Sequence, residues 1–208
     1  MYQPGHFRQT ETHAQHALMR AHPLATLITH GATGICANPL PFLLVTPPEP
    51  GVAVLRTHLA RANPQLADLR TGGECVVVFH GPNAYVSPNW YPTKAENHKA
   101  VPTWNYAVVQ VRGRPQVHED PTWLRQLLTD LTAEHEQHQP QPWRLDDAPP
   151  DYLQAMIGAV VGVEIALTQV DGKFKLSQNR SAADQAGVRD GLQRAGALAT
   201  RALMPPTQ

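Results

Sequence analysis

The amino-acid sequence predicts an antiparallel β-barrel with helices at its rim. Three observations carry that expectation. About seven short runs are apolar and β-branched enough to be strands, among them Leu24–Thr29, Glu74–His80 and Trp104–Val117. Several are joined by connections of hairpin length. Strands and helices do not alternate in the regular way that builds a doubly wound parallel sheet. The chain has 208 residues, which points to one domain with room for a real core.

Taken in order, the first eight residues form an arm of aromatic, proline and glycine residues. A helix is expected from Thr10 to about His22, with Leu18 and Met19 turned inward and Pro23 ending it. Leu24–Thr29 follows as a strand, and His30–Gly34 as a turn. The next strand starts at Ile35 and resumes through Phe42 to Val45, interrupted by Asn38-Pro39-Leu40-Pro41. Two prolines there place it at a sheet edge or a bulge. Thr46–Pro50 reads as a turn.

Val52–Leu55 is then a buried strand, and polarity changes abruptly beyond it, with Arg56, Thr57, His58, Arg61 and Asn63 close together. Asn63-Pro64 supplies a helix N-cap and first helical residue, and Leu66 and Leu69 follow at helical spacing. A helix start offers free backbone N–H groups to a phosphate, and Arg61 adds a permanently charged, forked donor. The same residues also suit a solvated, basic strand–helix turn. No GxGxxG or Walker pattern is present, so side chains and the helix start would have to hold any phosphate.

Glu74–His80 is a buried strand, and Gly81-Pro82-Asn83 turns into Ala84–Ser87. Residues 88–103 read as a long loop with little helix, a kind that is usually functional or disordered. Trp90 and Tyr91 favour order. In Trp104–Val117, Val109, Val111 and Gly113 face opposite to Val108, Gln110 and Arg112. Asp120-Pro121 caps a helix to about Gln139, with Leu124, Leu127, Leu128 and Leu131 as its apolar stripe. A proline-rich connector, 140–150, leads to a short helix, Tyr152–Ala159, and a strand, Val160–Val170. Asp171-Gly172 is a tight turn into Phe174–Leu176, and a helix with a frayed tail begins at Ala182.

Seventeen basic and seventeen acidic residues cancel, which argues against a dominant attraction to nucleic acid or membrane. Cys36 and Cys75 lie in apolar, strand-like surroundings and read as reduced core residues. The N-terminus lacks the basic-then-apolar design of a signal peptide, and no apolar run approaches a membrane span. A cytoplasmic location is expected.

HLARANP (58–64), GPNAYVSPNWYPTK (81–94), VPTWNY (101–106), the Ile157-Gly158 to Ile165 segment and KFKLSQNR (173–180) together resemble the PaiB-type FMN-binding proteins, described as negative transcriptional regulators. The likeness runs in order from Met1 to about Leu192. It implies an α+β, mainly β fold: an antiparallel split β-barrel with peripheral helices, related to pyridoxamine-phosphate oxidase. It also implies a homodimer with FMN at the subunit interface. On this reading residues 1–192 form the single FMN-binding domain, with a helical insert over about 120–158, and 193–208 form a C-terminal tail.

The resemblance gives the strand–helix turn a ligand: Arg56, Thr57, His58, Ala60, Arg61 and Asn63 match the residues for the FMN phosphate. The interrupted strand around Asn38 and Leu40 is a candidate for reaching the ring edge. Trp104, Asn105 and Tyr106 can supply stacking and an amide. Lys175, Ser177, Gln178 and Asn179 can reach phosphate or ring oxygens, from this chain or its partner. Plainer readings stand beside these. Arg56 can point to the other face, the aromatics can be core or interface residues, and Gln178-Asn179-Arg180 can cap the last helix. Lys94, Glu96, His98 and Lys99 suit either a lid or a solvated loop. The pairs His13/His16 and His135/His138 lack a third ligand and read as surface residues, so no metal is expected.

Two function classes follow from the resemblance. One is an FMN-binding regulator. No helix-turn-helix with a basic recognition helix is evident and the net charge is zero, so direct DNA reading has little support and a regulatory partner is the alternative. The other is a flavin-dependent oxidoreductase using NAD(P)H on a small molecule, or a haem-degrading enzyme. No side chain stands out as a catalytic acid or base.

Overall fold

The computed structural model describes residues 1–47 and 51–206. Of the turn expected over 46–50, residues 48–50 lie outside the described residues. A 3-10 turn (Gly5–Phe7) and a two-residue strand, β1 (Arg8–Gln9), precede α1 (Thr12–Ala21). The hairpin of β2 (Leu24–Gly31) and β3 (Gly34–Pro41) follows, then β4 (Leu43–Val45), β5 (Val54–Ala60) and α2 (Gln65–Arg70). Next come β6 (Cys75–Val86), a 3-10 turn (Pro88–Trp90), α3 (Lys94–Asn97), β7 (Thr103–Gly113) and β8 (Pro115–His118). The chain continues with α4 (Pro121–Glu136), α5 (Pro150–Gly158), β9 (Val160–Ala166), β10 (Gln169–Lys175), α6 (Ala182–Arg194) and α7 (Leu198–Ala202). The class is α+β, with antiparallel strand pairs throughout those described.

Two compact units emerge. One comprises His22–Phe79 and Gln110–Val170. In it β3 pairs only with β2, along its whole length from Leu24↔Pro41 to Gly31↔Gly34, and β2 also meets β6 at Thr26↔Val78. Its second sheet runs β4-β5-β9-β8. Leu27, Leu55, Leu59, Val77, Val111, Val161, Val163 and Ile165 are buried there. Alternating burial along β5 follows from the two-residue period of a strand, and in β9 Gly162 is buried as well, under Trp123. Helices α4 and α5 form a second cluster from Leu124, Leu145, Leu153 and Ile157. Asp120 caps α4 by accepting from the Thr122 and Trp123 amides.

The other unit comprises Met1–Ala21, His80–Val109 and Asp171–Gln208. Its strands run β1-β10-β7-β6. Val86, Tyr91, Leu176, Val188, Leu192 and Met204 form its core cluster. Trp90 fits on α6 at Gly191, where an added Cβ would come within 2.1 Å of the indole.

Several local expectations are corrected. Val52 is exposed and the strand starts at Val54, so the polar residues Arg56, Thr57 and His58 belong to the strand rather than to a turn after it. The prolines do not interrupt β3: an edge strand needs donors on one side only, and Pro39 and Pro41 share a parity. The long strand expected over 104–117 breaks at Arg114. The Gly113 α-carbon packs so close to Ala166 that a Cβ would lie 2.2 Å from its carbonyl oxygen, and the chain then enters the other sheet. Gly172 lies within β10 opposite Gln9, so it marks a close backbone approach and not a turn. Leu198–Ala202 is helical and Met204 is buried, so the tail is packed rather than frayed.

Gly81-Pro82-Asn83 is also no turn, because β6 is continuous through it. Burial along β6 shows what happens instead. Cys75, Val77, Phe79 and Gly81 are buried, whereas Asn83 and Tyr85 are exposed and Val86 is buried. The inward-facing phase slips by one residue, which is the signature of a β-bulge. Gly81 permits it by lying against Leu18 and Ala107.

Candidate functional site

The sequence-nominated residues fall into two groups, one in each unit. In the unit of β5, Thr57 is fully buried and its hydroxyl donates to the Pro41 carbonyl at 2.6 Å. Arg56 and His58 project from the opposite face of the strand. Arg56 Nε donates to Glu164 at 2.7 Å, and its guanidinium lies 5.6 Å from the Trp123 ring centre. Trp123 stacks on His118 at 4.0 Å and covers Gly162, where a Cβ would come within 2.1 Å of the indole. Gly162 is the cross-strand partner of both His58 and His118. His58 Nδ1 is buried without a hydrogen-bond partner among the described residues, and burial pulls its pKa below the ordinary imidazole value.

Arg61 follows the strand. It donates to Glu119 at 2.6 Å, to the Gly158 carbonyl at 3.0 Å and to the Val160 carbonyl at 3.3 Å. Glu119 also accepts from Arg70, and the two guanidinium groups hold its carboxyl below the usual range. Arg61 lines a cavity of about 810 Å³ with Leu124, Arg125, Leu153 and Ile157. Asn63 Oδ1 accepts from the amide of Gln65, the first residue of α2, which has only six residues. Ala60 is exposed. On β3, Leu40 is half-buried, and Asn38 Nδ2 donates to Gln65 Oε1 at 2.9 Å. Gln65, which was not among the nominated residues, is 1 % exposed and also donates toward Leu27 and Thr29.

In the other unit the candidates stand on an open sheet face. Trp104 is 53 % exposed and meets Tyr85 edge to face at 6.1 Å. An open groove of about 510 Å³ is lined by His80, Asn83, Trp104, Tyr106 and Val108. The Lys173 ammonium lies 5.5 Å from the ring centres of both Tyr106 and Tyr2. Lys175 donates to Thr103 Oγ1 and to the Trp104 carbonyl, each at 2.6 Å. Burial, with Arg180 and Lys173 nearby, pulls its pKa below the ordinary lysine value. Asn105 points inward and is fully buried. Its Oδ1 accepts from Ser177 at 3.0 Å, while its Nδ2 has no partner among the described residues. Ser177 holds a left-handed backbone, φ 64°. Gln178 closes its own turn on Leu176 and Phe174, and Asn179 is exposed.

Lys173, Tyr85, Tyr2, His80 and Asn83 were missed by sequence reasoning. Lys173 shares the parity of Lys175, a signal that was available. The common face of Tyr85 and Trp104 depends on the bulge at Gly81-Pro82, which in sequence looks like a turn.

A family model described as "Putative FMN-binding domain" matches residues 1–169. The protease synthase and sporulation protein PAI 2 of Bacillus subtilis is 30% identical over 193 residues, covering 93% of this chain and 89% of that protein. An uncharacterized protein of Saccharomyces cerevisiae is 34% identical over 160 residues, covering 68% of this chain and 94% of that protein. Among solved structures, the flavocytochrome Anf3 from Azotobacter vinelandii superposes with a TM-score of 0.61 at 14% identity, covering 81% of this chain and 69% of that one. The FAD and heme binding protein from Mycobacterium smegmatis gives 0.60 at 19%, covering 81% and 73%. At such identities the structural likeness shows the fold alone, and that fold is the split barrel. With a family match across residues 1–169, the chain belongs to the FMN-binding domain family, and FMN is the cofactor that membership gives it.

Proposed function

We propose that this protein binds FMN as a homodimer, with residues 1–192 acting as one cofactor-binding domain and the cofactor at the subunit interface. The family match over residues 1–169 carries the reading. The side chains fit the group. FMN is a planar ring with apolar faces, carbonyl and ring-nitrogen acceptors at its edge, and a phosphate dianion. The exposed Trp104 ring, the half-buried Tyr106 ring and the cations of Lys173 and Lys175 suit those features. Lys175, Ser177, Gln178 and Asn179 would flank the ligand on this side. Asn38, Leu40, Arg56, Thr57, His58, Ala60, Arg61 and Asn63, the candidates of the β5 unit, remain proposed cofactor residues in their own right. When bound, the flavin supplies one- or two-electron redox chemistry, and the protein supplies position and electrostatics.

The finer role we propose is regulation in the cytoplasm. It is supported by the likeness to a protein named for protease synthesis and sporulation. Helix α4 carries Asp130, Glu134 and Glu136 beside a single arginine, Arg125, which makes it a poor partner for a phosphate backbone. Regulation would then run through a protein partner or a small molecule. Among the described residues no helix is long and apolar enough to cross a membrane. The test is to load the purified protein with FMN, desalt it and record its visible spectrum. Flavin bands that stay with the protein are expected, and loss of all flavin on desalting contradicts the reading. Bleaching of those bands by NAD(P)H would replace the regulatory role with an oxidoreductase.

A further inference from the structure

We infer that the cavity between α4 and α5 is a binding site for a neutral, mainly apolar small molecule, separate from the cofactor. The inference goes beyond the FMN reading and does not depend on it. The cavity measures about 810 Å³. Ordinary small-molecule sites span about 300–1,000 Å³. All of its lining belongs to one compact unit. Its floor is Leu124, Leu153 and Ile157, which are buried members of the second hydrophobic cluster. Pro121, Ala148 and Pro150 add apolar surface around them. Such a floor gains by exchanging water for an apolar ligand.

Charge in the walls selects the class of ligand. Two guanidinium groups and two carboxylates line the cavity, and they are already matched. Arg61 donates to Glu119 at 2.6 Å, and Arg125 donates to Asp146. Arg61 also serves two carbonyls, and Glu119 also accepts from Arg70. A charged ligand would have to displace one of these partners or enter without a counter-ion, and either is costly. A neutral molecule leaves both pairs intact. Its polar group can meet the Thr122 hydroxyl and the Gln154 amide, whose side chains make no hydrogen bond among the described residues. Of the cofactor candidates, Arg61 alone lines the cavity. Gly158 stands at the rim, where an added Cβ would meet nothing within 4 Å, and its backbone is not left-handed. A larger side chain there enters open space without displacing a neighbour.

The test uses N-phenyl-1-naphthylamine, a neutral apolar dye whose emission rises on leaving water, titrated into the full chain with and without FMN. Saturable binding is expected, with amide hydrogen exchange slowed in α4 and α5. Gly158→Leu is expected to weaken binding about tenfold or more while the urea midpoint holds. As competitors of the dye, 2-naphthol is expected to bind about tenfold more tightly than 2-naphthoate or 2-naphthylmethylammonium. No dye binding overturns the inference, and so does slowed exchange that maps away from α4 and α5. The exchange map decides the matter should the variant not fold. Dye binding that a folded Gly158→Leu leaves unchanged also overturns it, as does a charged competitor that outbinds the naphthol. Displacement of the dye by FMN would make the cavity part of the cofactor site and overturn the inference. A chain that binds the dye in α4 and α5 but takes up no FMN keeps the inference and removes the FMN reading.

Discussion

The turn from β5 into α2 and the open face of β6, β7 and β10 hold the two densest sets of candidate residues, and they use their polar groups in opposite ways. Around β5 most polar side chains are engaged internally, His58 Nδ1 excepted. Thr57 serves the Pro41 carbonyl, Arg56 serves Glu164, Arg61 serves Glu119 and two carbonyls, and Asn63 accepts from the Gln65 amide. On the other face the cations lie against neutral groups and a tryptophan stands half in solvent. Residue type alone favours the first region as a phosphate site. Hydrogen-bond accounting favours the second, because a satisfied donor has little to offer a ligand.

That contrast can be broken by mutation. The largest effect is expected at Gly162→Ala, where the new methyl would overlap Trp123. Overpacking there should cost about 2 kcal/mol or more in urea unfolding, and an unaltered midpoint would mean that the sheet and α4 do not meet as described. Thr57→Val should cost about 1–2 kcal/mol, since it removes the hydroxyl that donates to the part-buried Pro41 carbonyl. Arg61→Ala should cost about 1 kcal/mol of stability, the contacts being partly solvent-exposed, while FMN affinity changes less than for Lys173→Gln. The reverse ranking of Arg61 and Lys173 in FMN titrations would erase the distinction between the two regions.

A smaller effect concerns pH. Burial lowers the pKa of His58 in the folded protein from the ordinary value of 6.5. The unfolded chain therefore binds more protons between the two values, so stability is fully present above about pH 6.5 and is lost as pH falls through that window. His58→Gln should flatten the dependence of the unfolding midpoint on pH there, and an unchanged slope would assign it to other groups such as His16 and His22, whose values are also lowered.

What could be read from sequence was what local chemistry decides. Helix α4 was legible because its Asp120 cap and leucine stripe are both local, and the alternation along β7 because a strand has a period of two. The edge position of β3 followed from its prolines. Gly81 and Gly172 misled, because a glycine that permits a turn and one that permits close approach look the same in sequence. Only the neighbours Ala107 and Gln9 distinguish them. The bond from Arg61 to Glu119 was not legible for a related reason: Glu119 lies 58 residues further along the chain.

The most direct test of the central claim is a crystal structure of the protein grown with FMN. We expect the isoalloxazine ring against Trp104 and Tyr106, with Lys173 and Lys175 at its polar edge or phosphate. A flavin whose phosphate is held by Arg61 and the start of α2, with Trp104 bare, would contradict the account.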